Sequence, residues 1–164
     1  MRRLLVSAAA CVVLACGEPE EPGLCEGNGG RDVEVEAAYR FEDAPLSEDD
    51  LLPVFVPPQG GIATELDVVM GGVGFETLAS LQIRAARVGD GTAVAEVHYA
   101  GGGLPLECVQ DGELKVRAVP VPFLDGVTLD ALDGVPVELT IRIDRRDGAV
   151  AQFAAVVTLD ATQY

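Results

Sequence analysis

Apolar and polar residues alternate along most of the chain beyond residue 32. In the run VEVEAAYRF, which spans 33–41, every second side chain is apolar and most of those between are charged. The run IATELDVVM, which spans 62–70, repeats the pattern with Glu65 and Asp67 on the polar side. A period of two is typical of a β-strand with one buried face. Both runs are therefore predicted to be strands that face a common core.

Turn signals join further alternating runs into hairpins. FETLASLQIRAARV (75–88) suits a helix or a strand, but Gly89-Asp90-Gly91 and the alternating TAVAEVHYA (92–100) follow it and favour a hairpin. VPVELTIRID (135–144) leads through Arg145-Arg146-Asp147-Gly148 into AVAQFAAVVTLD (149–160). An Asp-Gly turn between alternating runs indicates a second hairpin, with Ile141 and Phe153 facing inward.

The run GELKVRAVPVPF, which spans 112–123, is predicted to be another strand. Its alternation places Leu114, Val116, Ala118 and Pro120 on the core side. Proline lacks the N–H that a sheet interior requires, so the prolines place the end of this strand at a sheet edge.

Counting these runs gives about seven strands separated by Gly, Pro and Asp turns. This spacing predicts an all-β fold, an antiparallel immunoglobulin-like β-sandwich over residues 33–164. The chain has no Trp, so the Cys and Trp signature of antibody domains is absent. A closed β-barrel is the alternative.

The amino-terminal residues have the three parts of a secretory signal. Arg2 and Arg3 precede an apolar run at 4–14, which is too short to span a bilayer as a helix because a span needs about 20 apolar residues. Val13-Leu14-Ala15-Cys16 resembles the lipobox of bacterial lipoproteins. Residues 1–15 are therefore predicted to be a removable signal peptide.

The lipobox resemblance implies that the Cys16 thiol carries a diacylglycerol group and that the new amino terminus is acylated too. Two or more acyl chains anchor a protein stably, whereas one does so only marginally. The implied partner is the membrane, and the implied location is the bacterial cell envelope. Gly17 is consistent with sorting to the outer membrane under the rule known for enterobacteria.

Residues 16–32 follow the cleavage point and are rich in Gly, Pro and Glu. Such a composition buries too little apolar surface to offset the entropy of ordering, so we expect a flexible acidic tether.

Cysteine counting leaves two thiols for the exported domain. Cys11 leaves with the signal peptide and Cys16 is lipidated, so Cys25 and Cys108 remain. Two thiols in an oxidising compartment most often form a disulfide. The alternative is a metal pair or a redox dithiol, but the CxxC spacing and a nearby histidine are lacking.

The net charge of the chain limits the classes of partner that it could bind. The formal net charge is −16, and removal of Arg2 and Arg3 leaves 9 basic against 27 acidic side chains, a net charge of −18. Such a field repels nucleic acid and favours solubility or cation binding. Asp125, Asp130 and Asp133 are weak calcium candidates, since no DxDxDG spacing is present. No other metal site and no cofactor are predicted.

No catalytic residue is predicted. The only histidine, His98, lies on the polar side of its strand, and neither Ser47 nor Ser80 has the sequence context of a nucleophile elbow. The acidic run 47–50 is predicted to cap a helical turn that Pro53 ends.

A second resemblance lies between these elements. The run FEDAPLSEDDLLPVFVPPQGGIATELDV looks like a pattern in uncharacterised exported proteins of myxobacteria and their relatives. The matching residues are Leu52, Pro53, Pro58, Gln59, Gly60 and Gly61. The resemblance implies the sandwich and no catalytic activity, and the paired glycines are explained by a tight turn.

The favoured function is a membrane-anchored lipoprotein that presents a non-catalytic β-sandwich as an interaction or structural module at the cell envelope, with an envelope protein or ligand of unknown identity as partner. The alternative is an envelope protein that binds a ligand such as calcium, or hydrolyses one, at a site in the sandwich loops.

Overall fold

The computed structural model describes Cys25 and residues 32–39, 44–109 and 113–161. Within these residues, nine strands form two sheets, and we number them in chain order. The first sheet contains, in spatial order, β1 (Glu34–Tyr39), β3 (Ala63–Gly71), β7 (Leu114–Pro122) and β6 (Leu106–Cys108). The second contains β2 (Leu51–Pro53), β9 (Val150–Asp160), β8 (Pro136–Arg145), β4 (Leu78–Arg87) and β5 (Ala93–Ala100).

Neighbouring strands are antiparallel except for the short β2, which pairs parallel with β9. Seven strands are longer than three residues, which agrees with the predicted number. The predicted all-β sandwich is confirmed, and the alternative of a closed barrel is wrong because the strands form two separate sheets.

The core lies between the two sheets and is formed by the apolar side of each alternating run. Its fully buried side chains include Leu66, Val68 and Met70 from the first sheet and Ile83, Leu139 and Ile141 from the second. Ile141 pairs with Ile83 on one side and Phe153 on the other, and Phe153 packs against the core while remaining partly exposed. The predicted strand in 75–88 and both hairpins are confirmed.

A β-bulge in β7 corrects one predicted face. Leu66 pairs with Val119 but Val68 pairs with Val116, so Arg117 and Ala118 together lie opposite Asp67. The extra residue reverses the alternation after the bulge. Val119 and Val121 are buried, Pro120 is exposed and Ala118 is only half-buried. The prediction that Ala118 and Pro120 face the core is therefore wrong.

The prediction of a helical turn at 47–50 is also wrong. The Ser47 N–H donates to the Asp50 carboxylate at 2.7 Å, Asp49 has φ 69°, and the chain then enters β2 at Leu51. Thr158 of β9 donates its N–H to the Asp50 carbonyl, so the segment that ends at Asp50 is hydrogen-bonded to the edge of the second sheet.

The predicted tight turn before β3 is confirmed. Gly60 and Gly61 have φ of 89° and 83°, values that glycine adopts without steric cost.

Candidate functional site

A network of polar side chains on the second sheet is centred on Asp144, near the end of β8. Ser80 Oγ and Gln82 Nε2 of β4 donate to Asp144 Oδ2 at 2.8 and 3.2 Å. Arg142 donates to Asp144 Oδ1 through Nε at 3.0 Å and Nη2 at 2.7 Å. Strand pairing explains this convergence, because Ser80 is in register with Asp144 and Gln82 with Arg142.

These contacts hold Asp144 in its ionised form. The hydrogen bonds from Arg142 and the hydroxyl of Ser80 hold the pKa of Asp144 below its ordinary value, although partial burial opposes them. A carboxylate that accepts two hydrogen bonds on each oxygen is a poor proton acceptor. The arrangement is therefore suited to positioning the Ser80, Gln82 and Arg142 side chains on this face rather than to proton transfer.

Ser80, His98 and Asp144 lie on three adjacent strands of the second sheet, but their order does not match a nucleophilic relay. A relay needs an imidazole between the hydroxyl and the carboxylate. Here Ser80 Oγ donates directly to Asp144, and His98 is exposed on β5 in register with Gln82. The predicted position of His98 on the polar face is confirmed.

Asp67 is a charged residue that the sequence pattern placed in solvent and the structure buries. Its relative exposure is 5%, although it lies on the outer side of β3. Lys115 Nζ, from the only lysine in the chain, lies 2.9 Å from Asp67 Oδ2, and the Ala118 N–H donates to Oδ1 at 2.9 Å. Asp67 thus holds the bulge of β7, and we assign it a structural role.

The three calcium candidates lie on one loop, 123–135, but do not form a ligand set. Asp125 is in a turn, Asp130 lies in the 3₁₀ helix Leu129–Ala131, and Asp133 accepts the N–H of Ala161 at 3.1 Å. Within residues 32–39, 44–109 and 113–161, no three His, Cys, Asp or Glu side chains are grouped closely enough to hold a metal ion.

The predicted disulfide between Cys25 and Cys108 is confirmed. The two Cα atoms are 5.8 Å apart, and 83 positions separate the residues in sequence. Cys25 is 2% exposed and belongs to the hydrophobic core cluster, whereas Cys108 ends the edge strand β6. The bridge therefore attaches the segment before the domain to one end of the sandwich.

The two ends of the sandwich differ. We call the end with the disulfide, loop 72–77 and turn 146–149 the disulfide end, since β3 and β8 finish there and β4 and β9 begin there. The opposite end, which we call the acidic end, carries loop 54–62, turn 88–92 and loop 123–135.

The predicted lipidation site Cys16, the signal peptide and all of the tether except Cys25 and Asp32 lie outside the described residues. In the part of the chain that the structure describes, no helix combines the length and apolar character needed to cross a membrane.

Sequence comparison finds neither a matching family model nor a matching curated protein. Among solved structures, the chain is similar to the CooA pilin subunit of enterotoxigenic Escherichia coli, with 10% identity, a TM-score of 0.40 and coverage of 77% of this chain and 97% of the pilin. A DUF4466 family protein of Parabacteroides merdae is similar at 10% identity and a TM-score of 0.34, covering 75% of this chain and 42% of its own. Similarities this distant do not indicate a shared function.

The Asp144 network and the Asp67 pair were missed by sequence reasoning. Ser80 and Asp144 are 64 positions apart, and Asp67 and Ala118 are 51 apart. Only the register of the strands brings them together, and no local motif in the sequence carries that register.

Proposed function

We propose that the chain is a bacterial lipoprotein, anchored through Cys16, that presents a non-catalytic β-sandwich as an interaction or structural module at the cell envelope. The observation that carries the proposal is the sequence Val13-Leu14-Ala15-Cys16 after a short apolar run with two arginines before it. Such a run is long enough for a signal peptide and too short for a membrane span.

The disulfide supports export. Thiols in the reducing cytosol remain unpaired as a rule, whereas disulfides persist in the periplasm and at cell surfaces. The pairing of Cys25 with Cys108 leaves Cys16 as the one thiol after the apolar run that is free for lipid, because the chain has only four cysteines and Cys11 lies within that run.

The polar contacts favour a binding or structural module over an enzyme. Ser80 is directed at a carboxylate that its neighbours keep ionised, which does not activate the hydroxyl as a nucleophile. The loop aspartates are not grouped into a calcium site within the described ranges. Neither alternative function therefore gains a specific observation.

Metabolic labelling tests the anchor. The full chain is expressed in a Gram-negative host that is fed an alkyne fatty acid, and Cys16→Ser is compared with Cys11→Ser. We expect Cys11→Ser to be labelled and processed like the unaltered chain. We expect Cys16→Ser to be unlabelled and to keep its signal peptide or to appear unanchored, because the acceptor thiol is gone. Persistent labelling of Cys16→Ser would contradict the proposal.

A further inference from the structure

We propose that the disulfide end of the sandwich lies on the surface of the bilayer that anchors the chain, and that Phe75 and Arg146 make the contact. This inference rests on the proposed anchorage through Cys16. It goes beyond that anchorage by proposing that the disulfide end contacts the lipid and that the acidic end points away from the bilayer.

The disulfide shortens the connection between lipid and domain. The first strand begins at Glu34, 18 residues after Cys16, and would be the first point of attachment if the bridge were absent. With the bridge, the chain is already held at Cys25, nine residues after Cys16. Nine residues span at most about 32 Å when fully extended. The disulfide end is therefore held within about 32 Å of the anchored residue.

Hydrogen bonds place an exposed apolar and cationic surface beside Cys25. The Phe75 N–H donates to the Cys25 carbonyl at 3.4 Å. The Arg146 N–H donates to the Thr77 carbonyl at 2.8 Å, which joins turn 146–149 to loop 72–77. Arg145 reinforces this junction, because its Nη1 donates to the Gly72 carbonyl at 2.8 Å. The two segments thus form one surface around the point where the bridged chain enters.

The side chains of this surface suit the interface between headgroups and acyl chains. Phe75 is 42% exposed and Val150, at the start of β9, is 46% exposed. Arg146 is exposed and forms no ion pair among the residues that the structure describes. Aromatic and aliphatic side chains insert at the headgroup level, and a guanidinium binds lipid phosphate.

The distribution of charged side chains also favours an orientation in which the disulfide end faces the bilayer. Loop 123–135 at the acidic end carries Asp125, Asp130 and Asp133, and the guanidinium of Arg87 donates to the Ala131 carbonyl of this loop at 3.2 Å. Loop 72–77 and turn 146–149 carry Arg146 against Glu76 and Asp147, Arg145 at the end of β8 adds a second basic side chain, and Glu113 lies beside the disulfide. Over a Debye length of about 8–10 Å, an anionic bilayer therefore repels loop 123–135 more strongly than the surface formed by loop 72–77 and turn 146–149.

The chain contains no Trp, so a single introduced Trp reports its own position. Phe75→Trp tests the disulfide end, and Leu124→Trp is the matched control at the acidic end, because both native side chains are 42% exposed. Each lipidated protein is reconstituted into vesicles of phosphatidylcholine and phosphatidylglycerol, with part of the phosphatidylcholine brominated on its acyl chains. Bromine quenches a Trp that reaches the acyl boundary.

We expect Phe75→Trp to be quenched at least about twofold more strongly than Leu124→Trp and to emit at shorter wavelength, since only the former is inserted. Equal quenching of the two variants, or stronger quenching of Leu124→Trp, overturns the proposed contact. Adding Arg146→Glu to Phe75→Trp should reduce the quenching, and unchanged quenching overturns the role of Arg146.

Failure of the anchor is distinguished from failure of the contact by a second preparation. Co-sedimentation of the cell-derived protein with vesicles tests the anchor alone. The same Trp variants, beginning at Cys16, are then coupled through the Cys16 thiol to a maleimide phospholipid, because Cys25 and Cys108 are protected by their disulfide. Preferential quenching of Phe75→Trp in this preparation supports the contact even where the native chain is not lipidated, and its absence overturns the contact even where the chain is.

Discussion

At the scale of single residues, Asp67 shows where the pattern of the sequence stops being informative. The alternation of IATELDVVM places Asp67 outward, and it is outward, yet Lys115 and the bulge of β7 cover it. An aspartate buried on the outer side of a sheet must be paired, and its partners lie about 50 positions away. The alternation identified the face of Asp67 but could not identify its burial.

We predict that Asp67→Ala destabilises the domain by about 1–3 kcal/mol, because the Ala118 N–H and the Lys115 ammonium lose their acceptor. The loss stays below that of a fully buried pair, since the Lys115 side chain is 21% exposed and can be hydrated. Asp67→Asn should cost less, because an amide oxygen still accepts the Ala118 N–H. The midpoint of urea unfolding measures both.

Ala118→Gly is the matched variant, because it changes the backbone preference at the bulge and leaves the charge pair of Asp67 with Lys115 intact. Ala118 has φ 50°, where glycine is favoured, so Ala118→Gly should leave stability unchanged or raise it slightly. The assignment of Asp67 as the residue that holds the bulge fails if Asp67→Asn and Asp67→Ala are equally destabilised.

At the scale of elements, strands and hairpins followed from local pattern, whereas the bulge and the short strands did not. The apolar spacing of 75–88 suited either a helix or a strand, and the turn Gly89-Asp90-Gly91 after it correctly indicated the strand Leu78–Arg87. The reversal after Arg117 depends on Asp67 in another strand, so nothing within 112–123 indicates it. β2 and β6 are too short, at three residues each, for a period of two to be recognised.

The β8–β9 hairpin gives a prediction about pH. Arg145 Nε and Nη2 donate to the two carboxylate oxygens of Asp147 at 2.8 and 2.7 Å, and the Ala149 N–H adds a hydrogen bond at 3.1 Å. The hydrogen bonds from Arg145, followed by that from Ala149, lower the pKa of Asp147 from 3.8 to about 2. Because the folded pKa is below the unfolded one, the ionised carboxylate stabilises the fold above pH 3.8, and this stabilisation is lost as the pH falls toward 2.

We therefore predict that Asp147→Asn lowers the urea midpoint at about pH 6 and that its difference from the unaltered chain shrinks as the pH approaches 2. Asp130→Asn in the exposed 3₁₀ helix is the control for a change of one charge. A difference between Asp147→Asn and the unaltered chain that stays constant over this pH range would contradict the role of the Arg145 pair.

At the scale of the whole molecule, the two-sheet sandwich and its disulfide were predictable, but the path of the chain between the sheets was not. Pro45 forms a bridge to Ala38 of β1 in the first sheet, and β2 then joins β9 in the second. This crossing places β2 at the edge of the second sheet beside β9, and no local pattern in the sequence indicates that position. The assignment of the disulfide needed only a count of cysteines, which is why it could be made without the fold.

The disulfide should supply much of the stability of the molecule. It closes a loop with a sequence separation of 83, for which the chain-entropy model gives a loss of about 4–5 kcal/mol on opening the bridge. We predict that the double variant Cys25→Ala/Cys108→Ala loses up to this amount. We also expect its unfolding to show a larger denaturant slope, because its unfolded chain is less constrained. Reductant added to the unaltered chain should have the same effect.

The single variant Cys25→Ala separates the bridge from packing, because Cys25 is 2% exposed in the core whereas Cys108 is exposed at the end of β6. If the bridge dominates, Cys25→Ala, Cys108→Ala and the double variant lose nearly equal stability, since each opens the same loop. If burial of Cys25 dominates, Cys108→Ala costs little and the chain-entropy account is wrong. The same variants test the membrane contact. Each variant that opens the bridge lengthens the connection between Cys16 and the domain, because the chain is then held first at Glu34 rather than at Cys25. Each should therefore weaken the quenching of Phe75→Trp by brominated lipid.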